Sequence, residues 1–481
     1  MWGCSRRRCQ CTGSFCWRRS VRRWRRLRRR RPSTRSSCCS RSWRGQRATG
    51  CSSRWRRSRQ PRWSWLGADK RSGGLAAARE DGAMSPRATF VLVSSLFCLG
   101  MYSYLGWRLI SPAQLVGRWG ALAWLTLALP FVIIPGAFMA RSALKPGALL
   151  SALQWVAYVS LGALALVFSM VLLRDVLWWG LSGVDGVVAW ITGGDERRLL
   201  PIDSERRGVM LSALNVGILG ATTALTTYGF YEARRLPMVR EVDVLVAGLH
   251  ADLNGLRVVQ LSDIHIGPTI KRPFLERVVE VVNGLDADLI AITGDLIDGH
   301  VDQLLEHVAP VQGLTSRHGV FFSTGNHEYY WDALAWIDAI GELGLTVLNN
   351  AHRVIERGEA KLLVAGVTDY SAGRHVPEHA SDPHEALAGA PEVDFKLLLA
   401  HQPPSVFEAA KAGYDLQLSG HTHGGQFYPW HVVVGLAHPF VAGLHAFESM
   451  QIYVSCGTGY WGPPLRVGAP SEITVLTLKA S

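Results

Sequence analysis

Four stretches of this chain run for twenty residues or more without a charge: residues 88–107, 120–140, 147–173 and 208–231. At about 1.5 Å per helical residue, each is long enough to cross a hydrocarbon layer of roughly 30 Å. Runs of this length are rarely core helices of soluble domains, so the spacing predicts about four membrane spans within residues 84–236. Residues 176–192 form a shorter Trp-rich stretch interrupted by Asp185 and read as an interfacial helix. Polar residues inside the spans are few (Gln154, Asn215 and scattered Ser and Thr). With no ionisable relay of the kind that marks ion or proton pathways, the spans read as an anchor rather than a transporter. Lys and Arg at the span ends number six on one side and seven on the other, a balance that sets no orientation.

Residues 1–83 are of a different kind. They hold 24 Arg and Lys70 against Asp69, Glu80 and Asp81, a net +22, so the remaining 398 residues of a chain of net +13 carry −9. The basicity therefore lies in the leader, and the folded part gives no reason to expect nucleic-acid binding. Arginine without aliphatic periodicity cannot bury enough surface to order itself, so the leader is expected to be disordered. It is read as a mis-assigned start, because Met84 opens an ordinary beginning just before the first apolar run. Seven of nine cysteines also lie in this leader. The two that remain, Cys98 and Cys456, make no disulfide scaffold.

From residue 237 to 481 short aliphatic runs alternate with helical patterns, the texture of one α/β domain. Strands are expected at 256–261, 288–292, 320–323, 361–365, 395–399, 416–418, 452–454 and 473–478, with helices at 273–283, 331–343 and 404–411. Polar residues cluster after five of these strands. SDIHIG supplies Asp263 and His265, and TGDLID supplies Asp295 and Asp298. STGNHEYY supplies Asn326, His327 and Glu328. Two further strands end in His401 and in His421-Thr-His423. Sites in α/β sheets form at carboxyl ends of strands, and five such ends in a row bring carboxylate, amide and imidazole to one rim. Gly294, Gly325, Gly420 and Gly424 are expected to permit close backbone approach there.

Seven candidate ligands, Asp263, His265, Asp295, Asn326, His401, His421 and His423, include only two carboxylates. Two divalent ions held by them would keep a net +2, suited to an anionic phosphate ester. The mixture fits Mn²⁺, Fe or Zn²⁺ better than Ca²⁺, and a bridging carboxylate would set two metals about 3.5–4 Å apart.

The set D-x-H, G-D-x-x-D, G-N-H-E, a lone His and G-H-x-H, present as DIH, GDLID, GNHE, AHQ and GHTH, resembles the calcineurin-like metallophosphoesterase superfamily. The likeness covers residues 256–478, and the multi-span N-terminus points to its membrane-associated branch. The resemblance implies a β-sandwich flanked by helices and hydrolysis of a phosphoester or pyrophosphate bond by metal-bound hydroxide, with Mn favoured. It implies one metal on Asp263, His265, Asp295 and His423. The second would take Asp295, Asn326, His401 and His421, with His327 beside both as catalytic acid. Asp298 and Glu328 would hold loops and neighbouring groups in place or take a direct part. A lipid- or nucleotide-linked phosphate would be the substrate, such as the UDP-2,3-diacylglucosamine of lipid A synthesis, with the domain on the cytoplasmic face of the inner membrane. Phe427, Tyr428, Trp430, Phe440 and Phe447 would line an acyl-chain groove or belong to the core, and the Trp461-Gly-Pro-Pro turn would form another wall. The other reading is a non-enzymatic metal-binding sensor or scaffold. A protein phosphatase is disfavoured because Gly299-His300 follows Asp298 without the Arg of GDxVDRG.

Overall fold

The computed structural model describes residues 86–144, 147–193 and 203–481; the arginine-rich leader lies outside them. Each uncharged stretch becomes helix. Helix α1 (Pro86–Leu105) runs into a π-helical turn at Gly106–Ile110, followed by α2 (Arg118–Ala143), α3 (Ala148–Thr192) and α4 (Ser204–Arg234). Among the described residues, three helical segments are long and apolar enough to cross a membrane: Arg118–Arg141, Ala148–Thr192 and Glu205–Arg234. The first expected span is helical but is not one of the three. Helix α3 departs from the sequence reading, which separates 147–173 from an interfacial 176–192. The chain instead forms one helix of 45 residues closed by Gly193 at φ 69°, about 68 Å long. It contains no proline to end it sooner.

The helices are tied together by a buried charged knot that the sequence did not reveal. Asp175 of α3 is fully buried. It accepts hydrogen bonds from the Tyr104 hydroxyl at 2.7 Å, from Arg174 Nη2 at 2.7 Å and from Arg108. Asn215 of α4 accepts from Arg174 and donates to the Arg108 carbonyl. Arg108 and Arg174, which read as flanking charges, are thus folded back onto an acid between α1, α3 and α4.

The α/β domain is built on two six-stranded sheets. The first contains β1 (Met238–Val246), β2 (Arg257–Leu261), β3 (Leu289–Thr293), β4 (Val320–Ser323), β5 (Thr346–Val347) and the last strand of the chain, Glu472–Ala480. The second contains β6 (Ala351–Arg357), β7 (Ala360–Gly366), β8 (Phe395–Leu399), β9 (Leu416–Ser419), β10 (Gly443–Phe447) and β11 (Met450–Val454). With the last strand as β12, the orders are β1-β12-β2-β3-β4-β5 and β10-β11-β9-β8-β7-β6. Strands β2 to β5 are parallel, as are β7, β8, β9 and β11; β12 runs antiparallel to β2, and β6 and β10 close the second sheet as antiparallel edges.

Val258, Leu289 and Phe321 of the first sheet share one buried cluster with Leu362, Leu397 and Leu416 of the second. Helices α5 (Arg272–Asn283), α6 (Val301–Val308), α7 (Asn326–Tyr330) and α8 (Ala333–Glu342) follow β2, β3 and β4, and α9 (Val406–Ala412) follows β8. Val278, Leu304 and Trp336 cover the first sheet's other face, while Val406 and Ala409 cover the second's. All eight expected strands are present. Strands β1, β5, β6 and β10 were not expected: β1 carries Arg240, Glu241 and Asp243 on a largely exposed edge, and β5 has only two residues.

Residues Ala83–Ser481 form one compact unit, and the loop before β12 seats the domain on the helices. Leu465 packs with Leu166 and Phe427 so closely that a Cβ on Gly162 would lie 2.2 Å from Leu465 Cδ1. The Arg466 amide donates to the Gly229 carbonyl of α4 at 3.0 Å. Removing one partner of a buried ion pair leaves the other charge uncompensated. Asp175→Ala is therefore expected to destabilise the helical region by about 3 kcal/mol, read as a lower melting temperature of the full chain in detergent. An unchanged melting temperature would exclude a stabilising role for the knot.

Candidate active site

The candidate ligands come from both sheets. Asp263 and His265 follow β2, Asp295 follows β3, and Asn326 and His327 open α7 beyond β4; His401 follows β8, and His421 and His423 follow β9. Three groups have ligand atoms within 4.8 Å of one another: Asp263, His265 and His423; His265, Asp298 and His327; and Asp295, His401 and His421. Backbone bonds stitch the rim together. The Asp263 amide donates to the Gly294 carbonyl (3.1 Å), His265 to Asp295 (3.1 Å) and Gly420 to His401 (2.9 Å). Asp263, His265, Asp295, His421 and His423 all have left-handed backbone, with φ between 51° and 71°. That region costs a non-glycine residue about 1–3 kcal/mol and is concentrated at functional sites. Close approach is present at all four expected glycines and tightest at two: a Cβ on Gly325 would lie 2.2 Å from Asp295 Oδ1, and one on Gly420 would lie 2.0 Å from Ser262 Oγ.

Asp295 is the hub. Its Oδ1 accepts from the His327 amide at 2.9 Å, while Oδ2 lies 3.1 Å from His401 Nε2, 3.8 Å from His265 Nε2 and 3.9 Å from His327 Nε2. His401 Nδ1 donates to the Thr293 carbonyl at 2.7 Å, which turns Nε2 toward the carboxylate. That Nε2 makes no hydrogen bond, and the buried Asn326 Oδ1 has no partner either. Acceptors converging in a dry site need positive charge between them, from a proton or a metal ion. On the other side of the hub, His423 Nε2 lies 3.1 Å from His265 Nε2 and 3.4 Å from Asp263 Oδ1. The residues present therefore fit two neighbouring cation sites.

The surrounding charges follow the same logic. Burial opposes ionisation of Asp295, yet His401 and His327 hold its carboxyl well below the usual range. Burial also opposes protonation of His401, and Asp295 overrides it to raise that imidazole. Burial, with His265 and Arg466, keeps His423 neutral by lowering its pKa. His327 is raised to about 9: burial works against the charged ring, but Asp295 and Asp298 outweigh it.

Asp298 contacts two rings. One carboxylate oxygen bonds His327 Nδ1, and the other lies 3.3 Å from His265 Nδ1. Glu328 instead accepts three backbone N–H groups, from Gly325 (2.6 Å), Leu296 (2.9 Å) and Asp295 (3.1 Å). It therefore clamps the loop after β3 to the loop after β4.

A cavity of about 620 Å³ opens from this site. Its floor includes Asp295, Asn326, His327, His421 and His423, and its walls include Phe427, Trp430 and Trp461 together with residues of α2 and α3. Of the proposed groove aromatics, Phe440 and Phe447 pack on the second sheet's core instead, and Tyr428 is exposed. Three participants escaped sequence reasoning. Arg466 is fully buried and donates to the carbonyls of Cys456, Gly459 and Ala469, with Nη2 3.3 Å from His423 Nδ1. The His438 ring lies 5.0 Å from that of His421. Arg141, at the end of α2, donates to the Asp298 carbonyl and stacks 4.3 Å from the Trp331 ring. None sits in a local pattern; their roles come from loops and helices meeting in space.

A family model described as calcineurin-like phosphoesterase matches residues 256–425. A cattle protein named transmembrane protein with metallophosphoesterase domain is 37% identical over 337 residues, covering 68% of this chain and 74% of that protein. The chain belongs to the calcineurin-like phosphoesterase family. A zebrafish protein of the same name is 40% identical over 266 residues, and this chain spans 61% of its length. An uncharacterized metallophosphoesterase of Helicobacter pylori is 36% identical over 275 residues, covering 57% of this chain and 72% of that protein. The 68% shared with the cattle relative exceeds what residues 237–481 amount to, so the likeness reaches into the helical region of this calcineurin-like chain.

Removing the Glu328 carboxylate would leave three buried amides without an acceptor, at about 1 kcal/mol or more each. Glu328→Ala is expected to lower stability by about 3 kcal/mol, measured by chemical denaturation of the domain signal. Wild-type stability would show that the clamp is dispensable.

Proposed function

We propose that this chain is a membrane-anchored, dinuclear metal-dependent phosphoesterase. The observation that carries this reading is the Asp295 carboxylate, one oxygen of which faces three imidazoles across 3.1–3.9 Å between two further clusters of ligand-type side chains. Asp263, His265, His423 and Asp295 would hold one ion; Asp295, Asn326, His401 and His421 would hold the other. Two divalent ions there, Mn favoured, would supply a water of lowered pKa and screen the charge of the phosphoryl group.

The chain's own residues do the rest. Asp298 fixes the His327 ring through Nδ1, and the ring lines the cavity with Nε2 3.9 Å from Asp295 Oδ2. Asp295 and Asp298 favour the protonated form of His327, which would give that proton to the leaving oxygen. Asp298 is a positioning residue for His265 and His327, and Glu328 holds the loops.

The membrane reading takes α1 to α4 as four spans within residues 84–236, with the domain at 237–481 on the cytoplasmic side of the inner membrane. The shared core of the two sheets supports a sandwich flanked by helices. The substrate is a lipid- or nucleotide-linked phosphoester or pyrophosphate, of which UDP-2,3-diacylglucosamine is an example.

Purified full-length protein in detergent is expected to hydrolyse bis-p-nitrophenyl phosphate with added Mn²⁺, and to lose this activity with chelator or in Asp295→Ala. Metal binding without turnover of any phosphoester above the Asp295→Ala background would favour a sensor or scaffold. His327→Asn is expected to lower kcat by about 10²–10⁴ for a dialkyl phosphate, whose leaving oxygen needs the proton, and by less for a p-nitrophenyl ester. In the wild type, kcat should fall as pH rises and the imidazolium is lost, with the limb at or below about 9 because bound cations oppose protonation. Persistence of that alkaline limb in His327→Asn would remove His327 as the proton donor.

A further inference from the structure

The anchor does more than tether the site, because it builds one of its walls. Phe138 and Arg141 of α2 and Leu161 and Ala165 of α3 line the same cavity as Asp295, His327 and His423. The cavity is lined as well by a short helix, α10 (Trp430–Ala437), of sequence WHVVVGLA and without a single buried residue. Its Trp430, Val433 and Val434 face the cavity, while Val432 and Leu436 are exposed, Leu436 at 86%. Such a helix is unfavourable in water and suited to the apolar edge of a bilayer. The cavity thus runs from a cluster of acids and imidazoles to a cleft with apolar walls, one wall shared with membrane-spanning helices. Arg141 lies where the two meet, held by Trp331 and the Asp298 carbonyl.

We propose that the substrate is an amphiphilic phosphoester whose alkyl chain lies between α3 and α10 and whose phosphoryl group meets the acid–imidazole cluster beside Arg141. The proposal rests on the phosphoesterase reading and narrows it from soluble nucleotides to membrane lipids. The apolar walls are contributed by the same helices that would contact lipid, so the chain reaches the site laterally from the bilayer. In the reaction, water adds to phosphorus, the ester P–O bond breaks, and the leaving oxygen departs with a proton.

The test uses the full chain in lipid nanodiscs with Mn²⁺ and a series of alkyl p-nitrophenyl phosphates with ethyl to dodecyl chains. The leaving group stays constant across the series, so only the chain changes. The expected result is a kcat/KM at least tenfold higher for dodecyl than for ethyl. That ratio should fall tenfold or more in Leu161→Trp, which fills the cleft. It should not change in Val156→Trp, on an exposed part of α3 outside it. The second comparison separates binding in the cleft from simple partitioning into the disc, which no variant alters. Ala165→Leu replaces Leu161→Trp if the larger residue abolishes all turnover.

Arg141→Gln should raise KM at least fivefold for both esters, with partial recovery in Arg141→Lys; an unchanged KM would remove Arg141 from the proposal. Equal ratios for wild type and cleft variants would overturn the amphiphile assignment, while Mn²⁺-dependent turnover left the phosphoesterase reading standing. Absence of turnover of every ester above Asp295→Ala would overturn both.

Discussion

The structure depends on one constraint: a carboxylate, Asp295, buried against three imidazoles. Ionised groups out of water require compensating charge, and here each group supplies it for another. His401 and His327 favour the ionised form of Asp295, and Asp295 and Asp298 favour the protonated form of His327. Removing one charged partner leaves its neighbour less compensated, so the loops that carry them must be held in place. That demand explains the strained backbone at five candidate ligands, the absent Cβ at Gly325 and Gly420, and the Glu328 clamp.

Rigid loops need a rigid base, which the two sheets provide. Strands β2, β3 and β4 from one sheet and β8 and β9 from the other end at the same place, and the side chains between the sheets are buried from both sides. The register of one sheet is thereby locked to that of the other, and with it the spacing between Asp295 and His401. The helical region is built on a related principle. Asp175 draws Arg108 and Arg174 inward and joins α1, α3 and α4, and α3 carries Leu161 on the wall of the site. The two parts meet at Gly162 and Gly229, where missing side chains let the loop around Leu465 and Arg466 settle onto the helices.

Much of the site was legible because its chemistry is local in sequence. DIH, GDLID, GNHE, AHQ and GHTH each combine a polar ligand type with a preceding apolar run, and both are visible without coordinates. The same held for the helices, since an uncharged run of twenty residues has few alternatives. Residues acting across the fold were not legible. Arg466 sits in an unremarkable loop and becomes important only because burial brings it to His423. Arg141 reads as an ordinary charge at a span end, and Asp175 belongs to no motif. Strand β1, with charges on an exposed edge, lacked the apolar signal that marked its eight detected counterparts.

The sequence by itself determined which side chains are available for chemistry and that apolar helices precede an α/β domain, because composition and period are properties of short segments. Tertiary structure decided that the five strand ends carrying candidate ligands belong to two sheets rather than one. It also decided that Asp298 turns to the imidazoles while Glu328 turns to the backbone, and that the helices wall the active-site cavity. These outcomes depend on distances between segments far apart in the chain, and such distances are set only when buried charges and apolar faces are satisfied together.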